Sequence, residues 1–199
     1  KKIVMGFNLY LEHVLEYEYK EEKGRMIKGP RLQLGSGSWN IAKTFMSLGV
    51  SPAQLGCIAV VGKVDDPDTH AMSALIKRER VPTTLLQARD RTSSSYYLVP
   101  SRAKGFAFGY DGGPICASNA QKRLVARQGK RADIKIVAEI GPNAEELKLA
   151  EQLLRNASAD KVSVLIPSRP LLQSSGLKKL FPHLTMLALN EDEARILLK

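Results

Sequence analysis

Short, largely apolar segments constrain the fold of this chain more than any other feature. They cover residues 55–61, 134–138 and 162–166, and each precedes a longer stretch whose apolar residues recur at helical spacing, as Leu147, Ala150, Leu153 and Leu154 do. A strand that is apolar on both faces fits a parallel sheet covered by helices on either side. The alternation of strands and helices therefore predicts an α/β fold with a doubly wound, mostly parallel sheet.

Length and composition predict a single globular domain. The chain has 199 residues, of which 44% are hydrophobic and 25% charged, values typical of folded proteins with a buried core. No apolar run approaches the ~20 residues that span a bilayer, so we expect no membrane partner. Cys57 and Cys116 fit neither a disulfide framework nor a metal-ligand spacing, which indicates small buried side chains in a reducing compartment.

The excess of positive charge is the least ordinary property of the sequence. The formal net charge is +10, and between Arg102 and Lys135 eight bases are opposed by two acids. A field of that sign attracts polyanions such as RNA, although a solvated basic face is the alternative interpretation. The bases from Lys122 onward alternate with no aromatic residue, so any contact would be made to phosphates. The bases that we predict to contact nucleic acid are Arg102, Lys104, Lys122, Arg123, Arg127, Lys130 and Arg131.

The start of the chain bears on its compartment. The first residue is Lys1 rather than Met, and the first strand-like stretch is too short in apolar length for a signal peptide. Together with the basic charge, these features favour an intracellular protein, and an imported organellar (mitochondrial) protein over a cytoplasmic one.

A glycine-containing loop before a helix is the strongest candidate for a binding site. The loop reads Gly35-Ser36-Gly37-Ser38-Trp39-Asn40, helical spacing continues to Leu48, and Gly49 is suited to end the helix. Small residues allow backbone to approach a ligand closely, and an amide at the start of a helix can bind hydroxyl groups or anions. By itself the loop identifies no ligand.

This loop resembles the first signature of the PfkB (ribokinase-like) carbohydrate kinases, Gly-Gly-x-Gly-x-Asn. Asn8 and Glu12 are similar to an Asn and an Asp that close the first strand of that family, and residues 190–193 resemble its Asn-x-x-Glu motif. The resemblance implies a ribokinase-like fold over residues 1–199, as a single and incomplete domain. It also implies a small lid made of β segments at about 10–34 and 83–110.

The resemblance also implies roles for individual residues in an active kinase. The hydroxyl groups of a sugar would be bound by Glu12, Gly35, Ser36 and Asn40, because a carboxylate can accept paired hydrogen bonds from vicinal hydroxyls. Mg²⁺ and the phosphates of ATP would be positioned by Asn190 and Glu193. An Asn and a Glu three residues apart also fit a capping box at the start of a helix, which is the structural alternative for this pair.

Several positions depart from the family pattern. Ser36 replaces the second glycine, Trp39 places a bulky ring beside Asn40, and the segment ending at Asp65 resembles a Val-Gly-x-Asp turn without the glycine that follows it. The sequence Gly-Ala-Gly-Asp does not occur in the chain. In the family this loop supplies the anion hole and the Asp that deprotonates the sugar hydroxyl, so we expect it beyond residue 199 and assign no catalytic residue within the chain.

Two hypotheses for function follow. The departures and the basic charge favour a degenerate kinase fold, or pseudokinase, that acts as a noncatalytic structural or binding subunit. It would contact RNA and neighbouring subunits in an organellar nucleoprotein assembly. The alternative is the N-terminal portion of an ATP-dependent sugar or nucleoside kinase, with Mg²⁺ and ATP as cofactors.

Overall fold

The apolar runs of the sequence are strands in the computed structural model, which describes residues 1–20, 23–88, 91–99, 106–110, 117–155 and 160–198. In chain order the strands are β1 (Ile3–Phe7), β2 (Tyr10–Lys20), β3 (Lys23–Gly35), β4 (Leu55–Val61), β5 (Thr83–Gln87), β6 (Ser94–Val99), β7 (Phe106–Tyr110), β8 (Ile134–Ile140), β9 (Val162–Pro167) and β10 (Met186–Leu187). The helices are α1 (Gly37–Ser47), α2 (Pro67–Glu79), α3 (Asn119–Arg131), α4 (Ala144–Leu154), α5 (Arg169–Leu172), α6 (Leu177–Leu180) and α7 (Glu191–Leu197).

The larger sheet of the described residues has six strands in the order β10-β9-β8-β1-β4-β5. Every neighbouring pair is parallel, and Ile3 of β1 lies between Leu55 of β4 and Ile134 of β8. The predicted doubly wound parallel sheet is confirmed. Following the chain from β1, the strands β4 and β5 are added on one side of β1, and the strands β8, β9 and β10 are then added on its other side. The carboxyl ends of β1 and β8 therefore border the crevice where ligands bind in sheets of this kind.

Helices cover both faces of the larger sheet and bury two hydrophobic cores. One core contains Met5 of β1 with Trp39 of α1 and Met72 of α2, and the other contains Val125 of α3 and Leu153 of α4. Burial on both faces of the sheet explains why the run at 55–61, which is β4, is continuously apolar rather than alternating. None of the helices in the described ranges is long and apolar enough to cross a membrane.

Local capping residues set the beginning and end of several helices. The Ser36 hydroxyl accepts a hydrogen bond from the Trp39 N–H at the start of α1, and Gly49 follows that helix with φ 87°. A positive φ is accessible to glycine without steric cost, which is why a helix can end there. After β9 the elements are short: α5 and α6 have four residues each, and β10 has two.

The smaller sheet has the order β3-β2-β6-β7 within the described ranges. β2 pairs with β3 and β6 with β7 in antiparallel fashion, while β2 and β6 are parallel. The predicted lid segment at 10–34 lies in this sheet. The second segment needs a correction, because residues 83–87 form β5 at the edge of the larger sheet, where β4, α2 and β5 complete a parallel βαβ unit.

A buried polar cluster ties the start of β6 to the larger sheet. Asp66 Oδ2 accepts hydrogen bonds from the Ser93 N–H at 2.8 Å and from the Thr69 hydroxyl at 2.9 Å. The Ser93 hydroxyl accepts a bond from the Gly62 N–H at 2.8 Å, directly after β4. The sequence pattern emphasised Asp65, but Asp65 is exposed and the buried acid at this turn is Asp66.

Candidate functional site

A cleft of about 650 Å³ opens at the carboxyl edge of the larger sheet, on the side covered by the smaller sheet. Asn8 follows β1, Glu139 lies near the end of β8, and Pro167 ends β9, so the larger sheet contributes strand ends to its wall. Tyr10 and Glu12 of β2 line the cleft from the smaller sheet. The cleft therefore combines the crevice expected of the sheet topology with a second wall that the smaller sheet supplies.

Glu139 has the most unusual backbone in the cleft. Its φ is 58°, in the left-handed region, and the pairing of β8 with β9 shifts register between Ala138 and Ile140. This bulge turns the side chain toward α1, where the carboxylate accepts a hydrogen bond from the Gly37 N–H at 2.7 Å. The Glu139 carbonyl accepts a bond from Asn8 Nδ2 at 2.6 Å. No motif in the sequence points to Glu139, although it directly follows the strand-like segment at 134–138.

Glu12 lies on the smaller sheet and depends on its neighbours for its position. Gln33 of β3 donates a hydrogen bond from Nε2 to Glu12 Oε2 at 2.5 Å. Gly35 lies against the same carboxylate, and a Cβ at that position would come within 2.0 Å of Glu12 Oε1. Any other side chain at 35 would therefore displace the Glu12 carboxylate from its position.

Tyr10 and Tyr96 form an aromatic pair in the cleft, with ring centroids 4.7 Å apart in an edge-to-face arrangement. Burial raises the pKa of the Tyr10 phenol, and the nearby Glu139, Glu12 and Tyr96 side chains raise it further. The phenol therefore stays protonated at physiological pH and can donate a hydrogen bond to a ligand.

The cleft is acidic although the chain is basic. Among the described residues that line it, the carboxylates belong to Glu12, Glu139, Glu146 and Glu193, and the one cationic side chain is Arg91. Arg91 donates from Nη2 to the Ser94 hydroxyl at 3.3 Å. Such a lining favours neutral hydroxyl-bearing or cationic ligands over anions, because close like charges repel each other strongly in a partly desolvated site.

Comparison with known proteins identifies the fold that contains this cleft. No protein-family model matches the sequence, and no curated protein sequence is significantly similar to it. Solved structures do match. Phosphofructokinase-2 from Escherichia coli, in complex with substrates and products, superposes with a TM-score of 0.72 at 17% identity, over 100% of this chain and 63% of that one. The chain has the ribokinase-like fold.

Two further structures support the assignment of the ribokinase-like fold. Adenosine kinase from Schistosoma mansoni, in complex with adenosine, gives a TM-score of 0.73 at 16% identity, over 98% of this chain and 64% of that chain. The nucleoside kinase from Methanocaldococcus jannaschii, an archaeal member of the ribokinase family, gives 0.64 at 15% identity, over 99% and 63%. The chain thus spans a little under two thirds of the length of these kinases.

The ribokinase-like cleft brings together some of the residues that the sequence singled out. Glu12 and Glu193 line it together, whereas Gly35 and Ser36 are buried beside it and Asn40 is exposed outside its lining. The hydroxyl of Ser36 is engaged in capping α1. Each residue of the Glu12 and Glu193 pair comes from a different part of the chain, so only the folded structure shows that they share one site.

Asn190 and Glu193 form the capping box that was the structural alternative. The Asn190 side chain accepts from the Glu193 N–H at 2.9 Å, and the Glu193 carboxylate accepts from the Asn190 N–H at 2.9 Å. Glu193 nevertheless lines the cleft, while Asn190 does not. Within the described ranges, no three or more His, Cys, Asp or Glu side chains converge as a metal site.

The predicted nucleic-acid contacts divide into three groups. Arg102 and Lys104 lie outside the described residues. Lys122 is half-buried and forms an ion pair with Glu145 at 2.7 Å. The remaining bases are exposed on α3: Arg123, Arg127, Lys130 and Arg131.

Proposed function

We propose that this chain forms the acceptor-binding portion of a kinase that transfers a phosphoryl group from ATP to a hydroxyl group of a small, uncharged, polyhydroxylated compound. The acceptor class is a sugar or a nucleoside. The observation that carries the proposal is the placement of Glu12 and Glu139 in one cleft at the carboxyl edge of the sheet, where the topology locates ligands. This is the alternative of the two sequence-based hypotheses, and the kinases of the same fold support it over a noncatalytic subunit.

The two carboxylates would recognise the acceptor through its hydroxyl groups. Each carboxylate accepts hydrogen bonds, and bonds from hydroxyls to an ionised group are about twice as strong as neutral ones. Tyr10 adds a donor because its phenol stays protonated. The apolar side chains of Leu9, Leu98 and Ile166 line the same cleft and suit the carbon faces of a ring.

The backbone at Glu139 is a further observation in favour of a binding role. A non-glycine residue in the left-handed region costs about 1 kcal/mol or more, and such residues concentrate at functional sites. Here that conformation directs the carboxylate onto the Gly37 N–H at the start of α1. This hydrogen bond to the start of α1 fixes the position of the carboxylate in the cleft, where it can accept hydrogen bonds from a ligand.

The charge of the cleft argues for an unphosphorylated acceptor. A phosphate group carried by the acceptor would meet Glu12 and Glu139 among the described lining residues, opposed by the single cation Arg91. The phosphates of ATP also need a counter-charge, and Mg²⁺ bound through one or two carboxylates and water commonly provides it. Glu146 and Glu193 both line the cleft and fit that donor set. When bound, Mg²⁺ would neutralise phosphate charge.

Calorimetric titration of the chain with paired ligands tests the proposal. The panel is ribose, fructose and adenosine, each beside its phosphorylated counterpart. We expect an unphosphorylated member to bind and its phosphorylated form to bind more weakly. Glu139→Gln should reduce the affinity about ten- to hundred-fold, since a hydrogen bond to a charged group contributes about 1.5–3 kcal/mol. The matched control is Glu191→Gln on α7, an exposed glutamate outside the cleft lining.

Two results would count against the proposal. Failure of every ligand in the panel to bind would remove the acceptor site. Equal affinity losses in Glu139→Gln and Glu191→Gln would show that the cleft carboxylate has no special role. Thermal unfolding of both variants separates a binding defect from a folding defect.

A further inference from the structure

The outer face of α3 carries four exposed cations at helical spacing. Arg123, Arg127, Lys130 and Arg131 stand at i, i+4, i+7 and i+8, so their side chains project from one side of the helix. We call this surface the α3 basic face. The opposite side of the helix is committed to the fold, because Val125 and Gly129 are buried there.

The direction of α3 carries the C-terminal end of the basic face away from the cleft. Gln121, in the first turn, donates a hydrogen bond to the Gln87 carbonyl at the carboxyl end of β5, at 2.9 Å. Gln128, near the last turn, donates to the Thr84 hydroxyl near the amino end of β5, at 2.8 Å. The helix therefore runs antiparallel to the strands. Its most basic end, at Lys130 and Arg131, lies at the amino edge of the sheet, opposite the edge that holds the cleft.

The α3 basic face is not neutralised within the described part of the chain. α3 contains no acidic residue, and its four exposed cations form no ion pair there. Lys161 extends the positive charge, since its Nζ donates to the Lys130 carbonyl at 2.7 Å. The nearby acid Asp133 accepts a bond from the Lys2 N–H at 2.6 Å. Lys122 differs from the outer four because Glu145 pairs with it.

The stability of the helix does not account for all of these charges. Cations in the last turn interact favourably with the helix dipole, which explains Lys130 and Arg131. Arg123 lies in the first half of the helix, where that benefit is absent. Like charges four residues apart, such as Arg123 with Arg127, destabilise a helix slightly. The arrangement therefore carries a small cost that a bound polyanion would remove.

We propose that the α3 basic face binds the phosphate backbone of RNA, at a site separate from the cleft. Three of its four cations are arginines, whose planar guanidinium groups match phosphate oxygens in a two-bond geometry. The face extends from Arg123 to Arg131, which is nine residues and about 12 Å along the helix. α3 carries no aromatic residue to stack on bases, so the binding is independent of sequence. The described part of α3 also exposes no large apolar side chain that would insert into a lipid surface.

Fluorescence anisotropy with a labelled oligouridylate of about 20 nucleotides tests this proposal. Four phosphate contacts on a single strand predict a slope of log K against log salt of about −2.8, equivalent to about a fifty-fold loss of affinity between ~50 and ~200 mM salt. A variant with Arg123→Gln, Arg127→Gln, Lys130→Gln and Arg131→Gln should lose binding and most of the slope. Its matched control removes four exposed cations elsewhere: Lys77→Gln, Arg78→Gln, Lys178→Gln and Lys179→Gln.

The outcomes distinguish RNA binding by the α3 basic face from a general effect of net charge. The control variant has the same net charge as the α3 variant, so equal losses in both would overturn the proposal, as would no binding by the unmodified chain. Tighter binding to vesicles of anionic phospholipid than to the oligonucleotide would also overturn it. The single variant Arg127→Gln, with an expected decrease in slope of about 0.7, serves if the fourfold variant does not fold. Acceptor binding in the cleft should be unchanged in every α3 variant.

Discussion

Asp66 offers a sharp test of how the smaller sheet is fixed to the larger one. Its side chain is 5% exposed, and one carboxylate oxygen accepts hydrogen bonds from the Thr69 N–H, the Thr69 hydroxyl and the Ser93 N–H. Ser93 immediately precedes β6, so this oxygen links the start of α2 to a strand of the smaller sheet. The substitution Asp66→Asn keeps the shape and an acceptor oxygen while removing the charge.

The expected cost follows from these three bonds. Hydrogen bonds to an ionised group contribute about 1.5–3 kcal/mol each, and neutral bonds about 0.5–1.5 kcal/mol, so the loss of charge weakens each bond by about 1 kcal/mol. Burial of the carboxylate offsets part of this loss, because an uncharged amide costs less to desolvate. We therefore expect Asp66→Asn to lower the free energy of unfolding by about 2 kcal/mol. For a chain of this size, that corresponds to a decrease in Tm of about 4–8 °C.

The dependence on pH provides an independent check. Burial alone would raise the pKa of Asp66, but the bonds from Ser93 and Thr69 prevail and hold the pKa below its ordinary value of 3.8. A carboxyl group with a depressed pKa in the folded state stabilises the protein above its unfolded pKa, and this contribution is lost as the pH falls through the folded value. The difference in unfolding free energy between the unmodified chain and Asp66→Asn should therefore decrease below pH 3.8.

The unfolding midpoints of Asp66→Asn and Asp65→Asn in urea test whether Asp66 anchors β6. Asp65 is the adjacent acid, it is exposed, and its ion pair with Lys63 at 3.4 Å lies on the surface. Exposed ion pairs contribute about 0–1 kcal/mol. Equal unfolding midpoints for the two variants, or a difference that does not change with pH, would refute the argument that Asp66 anchors β6.

Two further predictions concern the packing around α3 and α4. Gly129→Ala should destabilise the chain by about 1–2 kcal/mol, because the new Cβ would lie 2.3 Å from the Leu153 carbonyl oxygen. The higher helix propensity of alanine would by itself stabilise the chain. A higher Tm for the variant in thermal unfolding would therefore contradict the close approach of the two backbones. Lys135 is fully buried, its Nζ donates to the Leu154 and Arg155 carbonyls, and burial together with the charge of Lys161 lowers its pKa below 10.5. A buried lysine with a depressed pKa loses its proton more readily in the folded state, so it destabilises the fold less as the pH rises toward 10.5. The unfolding free energy of the unmodified chain should therefore rise relative to that of Lys135→Met between pH 7 and 10.

Much of the fold could be predicted because it depends on short-range patterns. The run at 55–61 is β4, and Asn190 begins α7 through a capping box, both of which follow from a few adjacent residues. The site could be predicted only in part. Glu12 and Glu193 were recognised from motifs, but Glu139 belongs to no motif and reaches the cleft through a bulge. Asn40 fits its motif in sequence, yet it is exposed and does not line the cleft.

By itself, the sequence determined the alternation of strands and helices, the capped helix starts and the total charge, because each depends on composition or on neighbours along the chain. Only the tertiary structure decided that β5 joins the larger sheet, that Asp66 rather than Asp65 is buried, and that acidic side chains gather in the cleft while the α3 basic face runs toward the opposite edge. These outcomes depend on which strands become neighbours and in which direction each helix crosses the sheet. Such long-range geometry brings distant residues together, and no local pattern specifies it.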